Sequence, residues 1–342
     1  MKKLLAIAAA LTLFTLQASA GGKKNDDGIK IHRGAGMIEN LACYAPLSDK
    51  PINLWYYIPT NGNIKKMRIL FSMHGAERSG RTQRGVWRNL AEEYGFIVLC
   101  PEFLHKNGYP ENGYQFGGVS VEKFGHEMQP DSLWTYKWIE CLFDWFKAKT
   151  GNTARYYDMF GHSAGGQWVH RYLLATPESR CRRAVAANPG NYAWPDIDGI
   201  RTPEGELCQH YWWPFSINGT PFANEDCLRT FFKRDLTVLV GTLDTEAQYK
   251  EEDTPANGWQ RVQGISRYKR AFNFWEECKK VAEEKGMEFN IKVRDVPGAW
   301  HNSGRMVYGQ GDVGNWRIED DERVYNIKHL TNYGAYSIIF EQ

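Results

Sequence analysis

The sequence has almost no net charge, and it lacks the apolar runs and metal-binding spacings that define several classes of protein. Its 342 residues carry 42 Lys and Arg against 40 Asp and Glu. No basic run with interleaved aromatic residues occurs, so a nucleic-acid partner is not expected. No segment is long and apolar enough to indicate a membrane span. No cysteine or histidine spacing resembles a metal site, and neither a metal nor another cofactor is expected.

The N-terminal residues have the pattern of a secretory signal peptide, which we assign to residues 1–20. A positively charged start, the apolar run of residues 4–16 and an Ala-Ser-Ala motif ending at Ala20 match such a leader. Residues 21–28 are rich in Gly, Lys and Asp and predict a flexible leader. We therefore expect an exported bacterial protein, periplasmic or extracellular, with a single folded domain over residues 29–342.

The sequence contains seven cysteines, all of them after the predicted signal peptide. Export permits disulfides, and an odd count leaves at least one thiol outside intramolecular pairs. Cys208 and Cys227 flank an aromatic-rich loop and form the expected pair. Cys141 and Cys278 lie on the apolar faces of predicted helices, where a buried and inert thiol is the expectation.

Short buried strands alternate with amphipathic helices along the chain. Strands are predicted over 29–38, 52–59, 67–73, 96–100, 183–187, 236–240 and 289–296, and helices over 81–94, 131–149 and 261–285. This alternation is typical of an α/β fold with a doubly wound, mostly parallel sheet. Two aromatic-rich stretches, 102–130 and 191–224, are predicted as long loop insertions.

The segment Gly161-His162-Ser163-Ala164-Gly165 has the spacing of a nucleophile elbow, a sharp turn between a strand and a helix. The two glycines leave room for a strained turn that exposes the serine hydroxyl. The backbone N–H of Ala164 can then stabilise the oxyanion that forms when the hydroxyl attacks a carbonyl. The alternative is a glycine-rich turn whose serine has no catalytic role.

Serine-dependent acyl transfer also needs a base, a carboxylate that orients it, and a second oxyanion donor. Asp244 follows one later strand and His301 follows the last, and these strand ends converge at one edge of an open sheet. Ala76 follows the third strand and is the candidate second donor. The chain order Ser163, Asp244, His301 is the order that this architecture requires. The alternatives are a capping role for Asp244 and a surface-loop role for His301.

The sequence resembles α/β-hydrolases, and within them secreted esterases of the poly(3-hydroxybutyrate) depolymerase and feruloyl-esterase-like group. The residues that carry the resemblance are Met73-His74-Gly75, Gly161 to Gly166, Gly241-Thr242-Leu243-Asp244 and Val296 to His301. The resemblance extends from Ile52 to the C-terminus. It implies an α/β-hydrolase fold and an ester hydrolase that works through an acyl-enzyme. The two long aromatic stretches depart from compact members of the group.

Aromatic residues make up 14% of the chain. Trp194, Trp212, Trp213 and Trp300 lie in loops predicted at the carboxyl edge of the sheet, where they are candidates for substrate binding. Together with the resemblance, they favour acyl or methyl esters attached to carbohydrate, such as acetyl, feruloyl or uronic-acid methyl esters. Two alternatives remain, a serine peptidase on the same fold and a non-catalytic glycan-binding protein on a hydrolase scaffold.

Overall fold

The computed structural model describes residues 28–123, 125–201, 205, 207, 213–248, 262–312, 314 and 316–340. Residues Ile31–Gln342 form one compact unit, and of the residues before it only 28–30 are described. The predicted signal peptide and nearly all of the predicted leader therefore lie outside the described residues.

One large sheet runs through the domain. Its strands are β1 (Gly34–Leu41), β2 (Ile52–Ile58), β3 (Ile69–Met73), β4 (Ile97–Glu102), β5 (Tyr157–His162), β6 (Cys181–Ala187), β7 (Asp235–Gly241) and β8 (Lys292–Val296). Their spatial order is β1-β2-β4-β3-β5-β6-β7-β8. β1 is antiparallel to β2, and β2 is antiparallel to β4. The six strands β3 to β8 all run parallel to one another. The prediction of a doubly wound, mostly parallel sheet is confirmed.

Helices cover the sheet and connect its parallel strands. They are α1 (Gly80–Tyr94), α2 (Glu111–Tyr114), α3 (Lys137–Thr150), α4 (Ala164–Ala175), α5 (Glu225–Phe232), α6 (Arg267–Glu284), α7 (Ser303–Tyr308) and α8 (Ala335–Phe340). Side-chain oxygens of Ser79, Asn224, Ser266 and Asn302 cap the N-termini of α1, α5, α6 and α7. These caps satisfy backbone N–H groups that the first helical turn leaves without a partner. None of the helices among the described residues is both long and apolar enough to cross a bilayer.

The central strands are buried along their whole length, which explains their continuous apolar sequences. Every residue of β3, β4 and β5 is buried. Fully buried tryptophans on the helices, Trp87, Trp138 and Trp168, fill the layers on the two faces of the sheet. This packing holds the carboxyl ends of the parallel strands at fixed positions along one edge.

Several boundaries differ from the sequence-based expectations. β1 begins at Gly34, not at residue 29, and α6 begins at Arg267, after its cap Ser266. A separate two-stranded sheet, β9 (Trp316–Glu319) and β10 (Glu322–Tyr325), was not anticipated. α1 packs against this hairpin, and Arg84 on α1 forms a buried ion pair with Glu322.

Candidate active site

Ser163 lies on the sharp turn between β5 and α4. Its backbone has φ +57° and ψ −117°, a strained conformation for a residue with a side chain. The Ser163 N–H donates to the carbonyl of Ala187 on the neighbouring strand β6 at 2.9 Å, which fixes the turn against the sheet. The hydroxyl is thereby held at the carboxyl edge of the sheet, at the N-terminus of a helix.

The glycines on either side of Ser163 are required by close backbone contacts. A Cβ atom added to Gly161 would lie 2.2 Å from the Gly165 carbonyl oxygen, and one added to Gly165 would lie 2.3 Å from the Met73 carbonyl oxygen. Both distances are far below van der Waals contact. The turn can therefore pack between β5, α4 and the end of β3 only without those side chains.

The structure brings together the three side chains expected to act with one another. His301 Nε2 lies 3.0 Å from Ser163 Oγ, and His301 Nδ1 lies 2.8 Å from Asp244 Oδ2. Asp244 is 4% exposed, whereas the His301 side chain is 29% exposed. A buried carboxylate that accepts from one imidazole nitrogen leaves the other nitrogen to accept the hydroxyl proton. This arrangement can activate a serine for acyl transfer.

Two loops meet behind this arrangement and fix the distance between Asp244 and His301. The Leu243 N–H donates to the Ala299 carbonyl at 2.9 Å, and the Gly298 N–H donates to Thr242 Oγ1 at 2.8 Å. A Cβ added to Gly241 would lie 2.2 Å from the same Ala299 oxygen, so glycine permits this close approach. The motif Gly241-Thr242-Leu243-Asp244 thus docks against the loop that carries His301.

Arg267, the first residue of α6, is a site residue that the sequence reasoning missed. Its Nη1 lies 3.2 Å from Asp244 Oδ1, the carboxylate oxygen not used by His301. The Tyr268 N–H also donates to the Asp244 carbonyl, at 3.1 Å. Asp244 is therefore held from two directions. A basic residue directly after the helix cap Ser266 was the only sequence signal for this contact.

We expect Arg267→Gln to lower kcat about tenfold with little change in KM, because Asp244 would lose a charged donor that holds it against His301. Arg267→Lys keeps the positive charge and should recover most of the rate. Steady-state kinetics of both variants on one ester test this. Equal rates for the wild-type protein and both variants would contradict a positioning role for Arg267.

The two expected oxyanion donors lie on different elements. Ala164 is the first residue of α4, where backbone N–H groups have no partner within the helix. Ala76 is exposed in the turn after β3, which the hydrogen bond from the Arg78 N–H to the Gly75 carbonyl closes at 3.2 Å. Because β3 and β5 are adjacent parallel strands, both residues lie at the same edge of the sheet.

The long connection after β4 anchors the turn that carries Ala76. The buried Arg78 guanidinium donates to the carbonyls of Phe103 and Tyr109 and stacks over the Tyr114 ring at 4.5 Å. The Tyr114 hydroxyl donates to the His74 carbonyl at 2.5 Å. These contacts give part of the 102–130 stretch a structural role beside the candidate site.

His162 packs on the imidazole of the candidate base. Its ring centroid lies 4.6 Å from that of His301, and the residue is 7% exposed. Burial, the nearby His301 and Arg267 together hold the pKa of His162 well below its usual range. A neutral ring at this position can support His301 without adding a competing positive charge.

Two other buried histidines, in their neutral form, accept hydrogen bonds from the backbone of loops near the elbow. His74 Nε2 accepts from the Phe103 N–H at 3.0 Å, and His170 Nε2 accepts from the Ala193 N–H at 3.1 Å. Burial lowers the pKa of His74 to about 3, and burial with the neighbouring Arg171 lowers the pKa of His170 well below its usual range. Protonation of Nε2 in either ring would leave a buried backbone N–H without its acceptor.

These lowered pKa values predict a loss of stability in acid. Below a pH of about 6.5 the unfolded chain binds protons at these histidines while the folded protein does not, so the free energy of unfolding falls as pH falls. Each histidine lowers the free energy of unfolding by about 1.4 kcal/mol between pH 7.5 and 5.5. Urea midpoints at pH 7.5 and 5.5 measure the loss. His170→Gln should weaken the pH dependence, and replacement of the exposed His105 should not. A midpoint that does not change with pH would contradict this prediction.

The four candidate tryptophans lie in different environments. Trp300 is 54% exposed and lies next to His301. Trp213 is fully buried, and its indole N–H donates to the Phe116 carbonyl at 2.9 Å, so the expectation that it contacts substrate was wrong and its role is packing. Trp194 is 5% exposed and lines a pocket with Asp196 and Lys280 whose lining includes none of the three candidate catalytic residues. Trp212 lies outside the described residues.

The expected pairing of Cys208 with Cys227 stays a prediction. Cys227 carries a free thiol, and Cys208, its expected partner, lies outside the described residues. Across the part of the chain that the structure describes, no cluster of three or more His, Cys, Asp or Glu side chains is arranged to hold a metal ion.

Solved structures with the same fold include two hydrolases. Poly(aspartic acid) hydrolase-1 from Sphingomonas sp. KT-1 is 30% identical to this chain, with a TM-score of 0.70 over 80% of this chain and 96% of that one. LpqC, a poly(3-hydroxybutyrate) depolymerase from Bordetella parapertussis, is 24% identical, with a TM-score of 0.68 over 80% of this chain and 86% of that one. No family model and no curated protein matches the sequence.

Proposed function

Because the chain belongs to the α/β-hydrolase superfamily, we propose that it is a serine esterase with Ser163, His301 and Asp244 as its catalytic triad. The observation that carries this proposal is the pair of hydrogen bonds at 3.0 and 2.8 Å that joins the three side chains. A non-catalytic scaffold has no need for a strained serine turn aligned with a buried carboxylate and an imidazole.

In the proposed reaction, His301 Nε2 takes the proton of Ser163 as Oγ attacks the ester carbonyl. Asp244 accepts from Nδ1–H, which orients the imidazole and stabilises the imidazolium that forms. The N–H groups of Ala76 and Ala164 stabilise the negative oxygen of the tetrahedral intermediate, each by about 3 kcal/mol. No metal or other cofactor takes part in these steps.

His301 then returns the proton to the leaving alcohol, and the acyl group remains on Ser163. Water enters the space that the alcohol leaves. His301 takes a proton from this water as it attacks the acyl carbonyl, and Ser163 leaves with the proton. The products are one acid and one alcohol for each ester bond and water molecule consumed.

We assign substrate recognition to Trp300 and Arg305, which form the rim of the site beside His301. The Arg305 guanidinium stacks on the exposed Trp300 ring at 4.3 Å. Among the described residues, no carboxylate forms an ion pair with Arg305. The exposed indole can stack on a sugar or phenolic ring of a substrate, and the guanidinium beside it can bind a neighbouring carboxylate. This favours esters on acidic carbohydrate, such as uronic-acid methyl esters, over the acetyl and feruloyl esters also considered.

A second candidate function is amide hydrolysis in an anionic polymer. It rests on the 30% identity to a protein described as a poly(aspartic acid) hydrolase. The same triad can cleave amides, as serine peptidases do. The Arg305–Trp300 rim suits a polymer of carboxylates as well as it suits a uronate. Only the scissile bond differs between the two candidates.

The test combines a covalent probe with a substrate panel. A fluorophosphonate should label the protein once, on Ser163, and should abolish hydrolysis of p-nitrophenyl esters. Partly methyl-esterified polygalacturonate and poly(aspartic acid) should then be compared as polymers. Methanol release from the first supports the ester proposal, and chain cleavage of the second supports the amide candidate. Labelling at another residue, or none, would reject the triad.

Arg305→Gln should raise KM about tenfold for a polyanionic substrate, because a charged hydrogen bond to its carboxylate is lost. Hydrolysis of p-nitrophenyl acetate should not change. Arg323 provides a matched control, since its guanidinium stacks on the Trp316 ring at 4.1 Å in the β9–β10 hairpin. Arg323→Gln should leave both substrates unaffected. Equal KM changes in the two variants would remove Arg305 from substrate binding.

Export is a further part of the proposal, supported by the signal-peptide pattern of residues 1–20. Cleavage after Ala20 predicts a mature chain that begins at Gly21. N-terminal sequencing of the periplasmic and culture-medium fractions of an expressing bacterium checks the site. Recovery of the full chain from the cytoplasm alone would contradict export.

A further inference from the structure

Two thiols lie close together outside the candidate active site, between the edge of the sheet and the helix layer. Cys43 follows β1, the edge strand, and Cys141 lies on α3. Their Sγ atoms are 3.5 Å apart, and Cys141 Sγ lies 3.0 Å from the Cys43 carbonyl oxygen. Both residues are partly exposed.

We propose that Cys43 and Cys141 form a disulfide bond when the protein meets a disulfide-bearing oxidant, such as oxidised glutathione or an oxidising thiol–disulfide oxidoreductase. A disulfide has its sulfur atoms about 2.05 Å apart, so the two side chains must approach by only about 1.5 Å. The proposal replaces the expectation that Cys141 is buried and inert. It is independent of the proposed hydrolase function, because neither cysteine belongs to the triad.

The backbone beside Cys43 is docked firmly against the region of α3. The Tyr44 hydroxyl donates to the Ser132 carbonyl at 2.8 Å, and the Tyr44 ring makes an edge contact with Trp138 at 5.9 Å. Trp138 lies one helical turn before Cys141. Contacts directly beside both thiols therefore keep them within bonding range, so closure costs little further chain entropy.

The described cysteines differ in their readiness to react. The hydrogen bond with Cys43 lowers the pKa of the Cys141 thiol, whereas burial raises the pKa of Cys100 and Cys278 well above the usual range. The thiolate is the reactive form of cysteine. Cys141 is therefore the thiol expected to attack the oxidant first, and Cys100 and Cys278 are expected to remain reduced.

The reaction is two successive thiol–disulfide exchanges. The Cys141 thiolate attacks one sulfur of the oxidant, which forms a mixed disulfide and releases one thiolate. The Cys43 thiol gives up its proton and attacks Cys141 Sγ, which forms the Cys43–Cys141 bond and releases the second thiolate. The protein loses two protons and two electrons in total, and the oxidant takes them up as it is reduced to two thiols.

The bond would tie the antiparallel edge of the sheet to the helix layer. The two cysteines are 98 positions apart, so the closed loop is long. A disulfide across such a loop restricts the unfolded chain strongly, and reduction should lower the melting temperature by roughly 5 °C. β1 is an edge strand with a neighbour on only one side, so a second attachment at its end should add more stability there than elsewhere in the sheet.

Peptide mapping of the folded protein after treatment with oxidised glutathione tests the proposal. We expect one cross-linked peptide pair that contains Cys43 and Cys141 and disappears on reduction, with Cys100 and Cys278 alkylated only after unfolding. Reductant should lower the melting temperature of the wild-type protein but not of the Cys43→Ser/Cys141→Ser variant. Cys278→Ser should retain the cross-link and respond as wild type does.

Three results would overturn the proposal. One is that Cys43 and Cys141 remain open to alkylation in the folded, oxidised protein. Another is that Cys141 forms its bond with a different cysteine, Cys208 included. The third is an equal effect of reductant on wild type and double variant. Hydrolysis of p-nitrophenyl acetate by the same samples separates these results from a failure of the esterase proposal.

Discussion

Ser163→Ala is expected to lower kcat for p-nitrophenyl acetate by about 10⁴- to 10⁶-fold, with KM nearly unchanged. The variant keeps His301, Asp244 and both oxyanion donors but has no nucleophile to form the acyl-enzyme. Losing one member of a triad costs almost as much as losing all of them, because the three side chains act as a unit. Initial rates at several substrate concentrations separate kcat from KM.

The control is Ser48→Ala, which removes an exposed hydroxyl after β1, four strands away from β5 in the sheet. It should retain wild-type rates. Fluorophosphonate labelling should be lost in Ser163→Ala and kept in Ser48→Ala. Residual activity within tenfold of wild type in Ser163→Ala would show that another group attacks the ester, and the serine mechanism would be withdrawn.

The fold and the elements of the candidate site were accessible from sequence because each depends on local patterns. The apolar run of β5, the glycines around Ser163 and the helical spacing of α4 all lie within one short stretch. Asp244 and His301 were identified by their positions after predicted strands. Parallel strands place those ends along one edge whatever the details of packing, so strand order in the sequence was sufficient.

The parts that were missed depend on contacts between residues distant in sequence. Trp213 and Trp300 both lie in loops predicted at the carboxyl edge of the sheet, yet Trp213 is fully buried and Trp300 is 54% exposed. Composition cannot distinguish them, because burial depends on which segments cover each loop. The contact of Arg267 with Asp244 and that of Cys43 with Cys141 likewise arise only when separate elements pack together.

The glycines of the elbow lead to the second large effect. Gly165→Ala is expected to lower kcat about 100-fold and to destabilise the protein by about 2 kcal/mol. The added Cβ would lie 2.3 Å from the Met73 carbonyl oxygen and 2.8 Å from that of His74. Both oxygens belong to backbone at the end of β3, which is buried in the sheet and cannot move aside easily.

The start of α4 must therefore move away from β3, and this motion separates the two proposed oxyanion donors. Ala164 moves with the helix, whereas Ala76 stays with the turn after β3. Because an oxyanion must reach both N–H groups at hydrogen-bond distance, a shift of about 1 Å is enough to weaken one of them. The loss should appear in kcat and in the rate of fluorophosphonate labelling, with KM less affected.

Gly95→Ala is the matched control for this change. Gly95 ends α1 with φ +72°, and a Cβ added there meets nothing within 4 Å. It should cost about 1 kcal/mol of stability through backbone strain alone and leave kcat unchanged. Kinetics well below both melting temperatures separate activity from stability. If Gly165→Ala lost stability but kept wild-type kcat, the spacing between Ala76 and Ala164 would not determine the rate, and the oxyanion donors would have to lie elsewhere.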